Sequence, residues 1–95
     1  MDELQASVQR RLYRLRDLTD GLTGLRAEHT SQDGEVTVVV DGNGGLLDLR
    51  FTEDISRMTP SEFEQTLTGT AAAAVREVFA QRAELVTAFN AEVAG

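Results

Sequence analysis

The 95-residue sequence predicts an α+β fold, two long helices flanking a small antiparallel sheet. Three observations carry that prediction. Apolar residues recur every third or fourth position at both ends of the chain, the spacing of a helix. Between them, from Val36 to Phe51, the spacing drops to two, as in a strand with one buried face. A glycine-rich turn, DGNGG, divides that stretch into two strands.

The first helix is written by Leu4, Val8, Leu12, Leu15, Leu18 or Thr19, Leu22 and Leu25. Steps of four and three make a narrow a/d seam and predict one helix over about residues 3 to 27. Gly21 and Gly24 each weaken a helix interior by roughly 1 kcal/mol relative to Ala, so the last turns are expected to fray or bend. Next, SQDG at 31–34 signals a turn, which makes the segment around Ala27 to Ser31 an additional edge strand. Val36, Val38 and Val40 then alternate with Thr37, Val39 and Asp41, and Leu47, Leu49 and Phe51 with Asp48 and Arg50.

The second helix opens on Thr59-Pro60-Ser61-Glu62. A cap hydroxyl, a proline at the first helical position and a glutamate three residues past the cap make a capping box. Phe63, Leu67, Ala71, Ala74, Val78, Leu85 and Phe89 continue a helical stripe, widened by Val75, Phe79 and Val86, to about Val93. Small residues in its centre, TGTAAAAV, permit close approach of another element. No linker, repeat or low-complexity tract divides residues 1–95, which read as one domain.

Composition narrows the function. Hydrophobic content of 41% and charged content of 26% are those of a folded protein. The absence of cysteine removes disulfides, thiolate nucleophiles and sulfur metal sites together. Aromatic content of 5%, with Tyr13 the one tyrosine and no tryptophan, argues against readers of unpaired bases, which rely on stacking. The start has no apolar core of signal-peptide length, and AAAAV at 71–75 is far short of the ~20 residues that span a bilayer. The chain therefore reads as soluble and cytoplasmic.

A core this small is marginal alone, and long helices should overhang a small sheet. A two-fold homodimer with shared helix seams is the economical solution, and Leu67, Ala71, Ala74, Val75, Val78 and Phe79 are the expected interface.

The run DGEVTVVVDGNGGLLDLRF, followed after a short stretch by TPSEFEQTLTGTAAAAVREVFAQ, resembles the YbaB/EbfC family of bacterial nucleoid-associated proteins. The likeness is strongest over Asp33 to Arg82, and before Arg26 it extends only to a heptad-patterned helix. It implies an α-β-β-β-α protomer, an intertwined homodimer with projecting helices, binding of double-stranded DNA in the nucleoid, and no enzymatic activity. It also makes admissible an actinobacterial-type member, some of which accompany type VII secretion systems. In charge the sequence departs from the family's usual picture. It has no lysine and a net charge of -7, so a dimer carries twice that, -14. Long-range attraction to DNA is then poor, although screening beyond roughly 8 Å leaves a local patch free to act.

The candidate patch is VQRRLYRLR, which puts Arg10, Arg11, Arg14 and Arg16 into seven positions. On a helical wheel Arg10 and Arg14 stack beside the seam, Arg11 lies near its edge, Arg16 is on the other flank, and Asp17 offers Arg14 a carboxylate. Two readings stand: arginines lying over an apolar seam and paired locally, or a phosphate-contacting patch of Arg10, Arg11 and Arg14 doubled by symmetry.

Other sites are weaker. DGNGG has a phosphate cradle's glycines but neither a following helix nor a lysine, and as a calcium loop its sixth and twelfth positions are Leu46 and Thr52. His29, the sole histidine, reads as a surface or strand-edge residue. Glu53-Asp54 falls in a loop, and Glu62 and Glu64 serve a helix start. No nucleophile, base and pocket converge, so neither catalysis nor a cofactor, metal or small-molecule substrate is expected. The second functional class is an acidic dimeric adaptor or chaperone whose long seams hold a partner protein's helix.

Overall fold

The computed structural model describes residues 2–94. In chain order these form α1 (Asp2–Thr23), β1 (Arg26–Thr30), β2 (Val36–Asp41), β3 (Leu46–Phe51), a short 3-10 helix (Glu53–Arg57) and α2 (Pro60–Ala94). The α-β-β-β-α arrangement is the expected one, with the additional strand in place. The strands form one antiparallel sheet in the order β1-β2-β3.

The register explains the alternation in the sequence. Val36, Val38 and Val40 stand opposite Phe51, Leu49 and Leu46 on one side, and Ala27 stands opposite Val40 on the other. All three valines and Ala27 are buried, and with Ala74 and Val78 of α2 they form the core. Phe63, Leu67, Ala71 and Val75 of α2, with Leu25, Leu49 and Ile55, pack around it. Each buried valine contributes about 1.5–3 kcal/mol, so this is a thin core for two long helices. α2 lies chiefly over β1 and β2.

Local chemistry sets the boundaries. Thr59 Oγ1 accepts the Glu62 N–H at 3.1 Å, the cap expected at the start of α2. Ser31 Oγ accepts the Val36 N–H and donates to Glu35, closing the first turn, where Gly34 has φ 82°. Asp41 Oδ1 accepts the N–H groups of Asn43 and Gly45, both at 2.9 Å, closing the second turn, where Gly44 has φ 81°. At 53–57 the chain coils into the 3-10 helix where the sequence suggested a loop, and this brings Ile55 against the core.

α1 ends at Thr23, two residues before the last leucine of the rhythm and about four short of the predicted end near residue 27. The Gly24 N–H bonds to the Asp20 carbonyl and the Leu25 N–H to the Leu22 carbonyl, and the chain turns. Arg26 Nη1 then donates to the Thr23 and Leu25 carbonyls, capping groups the helix leaves open. Gly21 lets α1 approach α2: a Cβ there would lie 3.4 Å from Leu85.

No residue of α1 is buried. The helix runs antiparallel to the C-terminal half of α2, with Gly21 level with Leu85 and Arg14 level with Glu92. At 1.5 Å per residue the first ten or so residues of α1 project about 15 Å beyond the end of α2. The 35 residues of α2 are about 52 Å long, and the overhang accounts for most of the remaining length of a molecule 69 × 18 × 15 Å.

Candidate nucleic-acid interface

The basic run of the sequence lies where α1 leaves α2. Arg10 and Arg11 are exposed on the projecting part and have no ion-pair partner among the described residues. Arg16 is exposed, its guanidinium 6.0 Å from the centre of the Tyr13 ring. Residues 2–16 hold four arginines against Asp2 and Glu3 alone, so the tip is locally positive on an acidic molecule.

Arg14 is different. Its side chain is 41% exposed, its Nη1 donates to the Glu92 carbonyl at 3.1 Å, and its Nε lies 3.8 Å from Glu92 Oε2. The carboxylate it meets is therefore Glu92 of α2 rather than Asp17 of its own helix. This arginine joins the two helices, whereas the wheel places it simply beside the seam with Arg10.

The other arginines divide between use and exposure. Arg50 pairs with Glu28 and Asp48 across the outer face of the sheet, and Arg57 with Asp54. Arg82 Nη1 donates to the Gly42 carbonyl at 3.0 Å and to Asn43 Oδ1 at 2.9 Å, fastening α2 to the β2–β3 turn. Arg76, exposed on α2, and Arg16 resemble Arg10 and Arg11 in lacking an ion-pair or hydrogen-bond partner among the described residues.

Below the arginines, Val8, Leu12 and Leu15 of α1 form an apolar groove with Phe89 at the end of α2, bordered by Arg11.

The stripe expected at a dimer interface is divided by the structure. Ala74 and Val78 are fully buried against the protomer's own sheet, and Leu67, Ala71 and Val75 are half-buried beside them. Ala74 and Val78 are thus spent on the protomer's own core, while the other three keep part of their surface. Phe79, one position from Val78, is 47% exposed.

The remaining candidates are structural. DGNGG is a hairpin turn, and Gly42 is buried so closely that a Cβ would lie 2.5 Å from the Leu22 carbonyl oxygen. The Gly45 and Asn43 N–H groups, assisted by Arg26, hold the Asp41 carboxyl below its usual range. His29 sits half-buried in β1 opposite Val38. Among the described residues no three metal-ligating side chains gather, and no helix is long and apolar enough to cross a membrane. The links made by Arg82 and Glu92 escape sequence reasoning, because they join positions 40 and 78 residues apart with no local pattern to announce them.

A small sheet under one long helix, with a second helix carrying exposed arginines past its end, defines the class: an α+β protein of two long helices and three antiparallel strands. The chain matches the YbaB/EbfC DNA-binding family over residues 1–93 and belongs to that family. Among solved structures, the uncharacterized protein HP0035 from Helicobacter pylori shares the fold, with a TM-score of 0.69 at 17% identity over 92% of each chain. No curated protein matches the chain.

Proposed function

We propose that this protein is a nucleoid-associated, non-enzymatic homodimer that binds double-stranded DNA with little sequence preference. Membership of a DNA-binding family supports the activity, and the observation that carries it to particular residues is the exposure of Arg10 and Arg11 on a projecting helix end. Arg14, tied to Glu92, contributes one face of its guanidinium. Localisation to the nucleoid in the cytoplasm follows from the same reading.

With a dimer charge of twice -7, or -14, attraction acts only at contact range. Three arginines in each of two protomers make at most six phosphate contacts. At ~0.9 per neutralised phosphate the log-log salt slope is near -5, and binding is weak at physiological salt. The tip carries no paired Asn, Gln or Arg geometry for base edges, so contacts go to the backbone.

The test is fluorescence anisotropy of a labelled duplex across a salt series. Wild type should bind at ~50 mM salt and release steeply as salt rises. Arg10→Glu with Arg11→Glu should abolish binding while circular dichroism stays unchanged, because both side chains are exposed. A wild type that leaves the duplex free at ~50 mM salt sinks the proposal. The acidic adaptor, including the secretion-linked actinobacterial kind, then becomes the better account, with a salt-tolerant partner held by apolar contacts.

A further inference from the structure

The apolar seam of α1 outlasts the helix that covers it. Leu18 and Leu22 are half-buried where α1 runs along α2, but farther out Leu4 is 69% exposed and Leu12 59%, with Val8 and Leu15 exposed between and beside them. Scattered exposed leucines are ordinary on a protein surface, whereas these four fall in one line at steps of four and three. From Leu4 to Leu15 the line is about 16 Å long, three turns of helix. Its inner end is a groove, closed on one side by Phe89 of α2.

Charge is arranged along the same strip. Arg11 borders the groove, and at 100° per residue Arg16 falls on the opposite flank. Neither has an ion-pair partner among the described residues. These flanks are the positions at which packed helices exchange opposite charges, so the strip asks for carboxylates on both sides of an apolar line.

We infer that the projecting end of α1 docks an acidic amphipathic helix of another protein, its apolar side on the strip from Leu4 to Leu15 and its carboxylates against Arg11 and Arg16. Helical spacing on α1 selects a helix as occupant, since knobs at steps of four and three fit the holes of a second helix. A second copy of this tip matches the leucines but sets arginine flank against arginine flank. A bilayer is flat, whereas Phe89 makes the inner end concave, and Glu92 on the adjoining turns of α2 would meet the lipid phosphates. An acidic helix answers both the shape and the charge. Once docked it takes Arg11 away from phosphates, so partner and duplex compete for the tip; this consequence alone rests on the DNA reading.

The probe is a fluorescein-labelled designed peptide of about 15 residues, with leucine at its a and d positions and glutamate at e and g, beside a second peptide carrying lysine for each glutamate. In anisotropy titrations wild type should bind the glutamate peptide at least ~10-fold more tightly than the lysine peptide. Leu12→Gln should weaken the glutamate peptide at least ~10-fold while leaving duplex binding as in wild type, because the arginines remain. Arg11→Glu with Arg16→Glu should reverse the preference and favour the lysine peptide, a swap that loss of folding cannot imitate. Equal affinity for both peptides, or a Leu12→Gln variant that binds like wild type, overturns the inference. So does a glutamate peptide that stays free while vesicles of phosphatidylglycerol and phosphatidylcholine bind, which makes the strip a lipid anchor. A homodimer that dissociates on Leu12→Gln in sedimentation makes the strip a contact between copies and overturns it too. Wild type that binds the glutamate peptide but leaves a duplex free at ~50 mM salt upholds the docking and removes the DNA reading alone.

Discussion

Arg14 donates from Nη1 to the Glu92 carbonyl at 3.1 Å, with its Nε 3.8 Å from the Glu92 carboxylate, and so fastens α1 to the last turns of α2. One side chain of the basic run thus supplies an open helix-end carbonyl with a charged donor, a place where cations are favoured. Beyond this level α1 projects alone. Arg14 is the point at which a supported helix becomes an unsupported one.

Arg14→Ala should therefore lower stability by about 0.5–1.5 kcal/mol, the worth of a partly exposed charge-assisted bond. Arg10→Ala, with no contact to lose, should stay within about 0.5 kcal/mol of wild type. Urea denaturation of the two variants, with hydrogen exchange at residues 2–13 as a local readout, measures the difference. Equal midpoints for both would mean that the Glu92 contact carries no weight.

Val78 and Phe79 are neighbours with opposite environments, one buried against the sheet and the other 47% exposed. Val78→Asp places an unpaired charge in the core and should abolish cooperative unfolding. Phe79→Asp should leave the protomer folded, because its surface is not part of that core. Thermal melts followed by circular dichroism separate the two, and a cooperative melt from Val78→Asp would contradict the core assignment.

Two glycines differ in the room around them. A Cβ at Gly42 would lie 2.5 Å from the Leu22 carbonyl oxygen, backbone that cannot swing aside, so Gly42→Ala should cost about 1–3 kcal/mol. Gly69, inside α2, has no atom within 4 Å of the place a Cβ would take, and Gly69→Ala should gain about 1 kcal/mol from helix propensity. Chemical denaturation should show midpoints moving in opposite directions.

What was legible in the sequence was whatever repeats at short range. The valines of β2, the Thr59 cap and the DGNGG turn are local patterns with one physical solution each, and the chain adopts it. Contacts between distant positions were not legible. Leu25 continues the helical spacing but belongs to the turn after α1, where it packs on the core, so the rhythm overstated the helix. The wheel placed Arg10 and Arg14 on one flank and could not show that Glu92 waits for only one of them. Likewise, Ala74 and Val78 read as interface because a stripe of apolar residues looks the same whether a sheet or a second chain covers it.

Acid should loosen the β2–β3 turn. Asp41 Oδ1 holds the Asn43 and Gly45 N–H groups, and these bonds, with Arg26 nearby, keep its carboxyl below the ordinary aspartate value of about 3.9. A carboxyl depressed in the folded state binds fewer protons there than in the unfolded chain, so its contribution is present above that ordinary value and is lost as the pH falls through the folded one. Asp41→Asn keeps an oxygen acceptor but removes the titration. The stability gap between wild type and variant should be widest above the ordinary aspartate value and should narrow as the pH falls through the lower, folded one. Urea midpoints of the two proteins across that range decide the matter. A gap that does not change with pH would assign the turn's stability to the neutral hydrogen bonds and leave the charge no part in it.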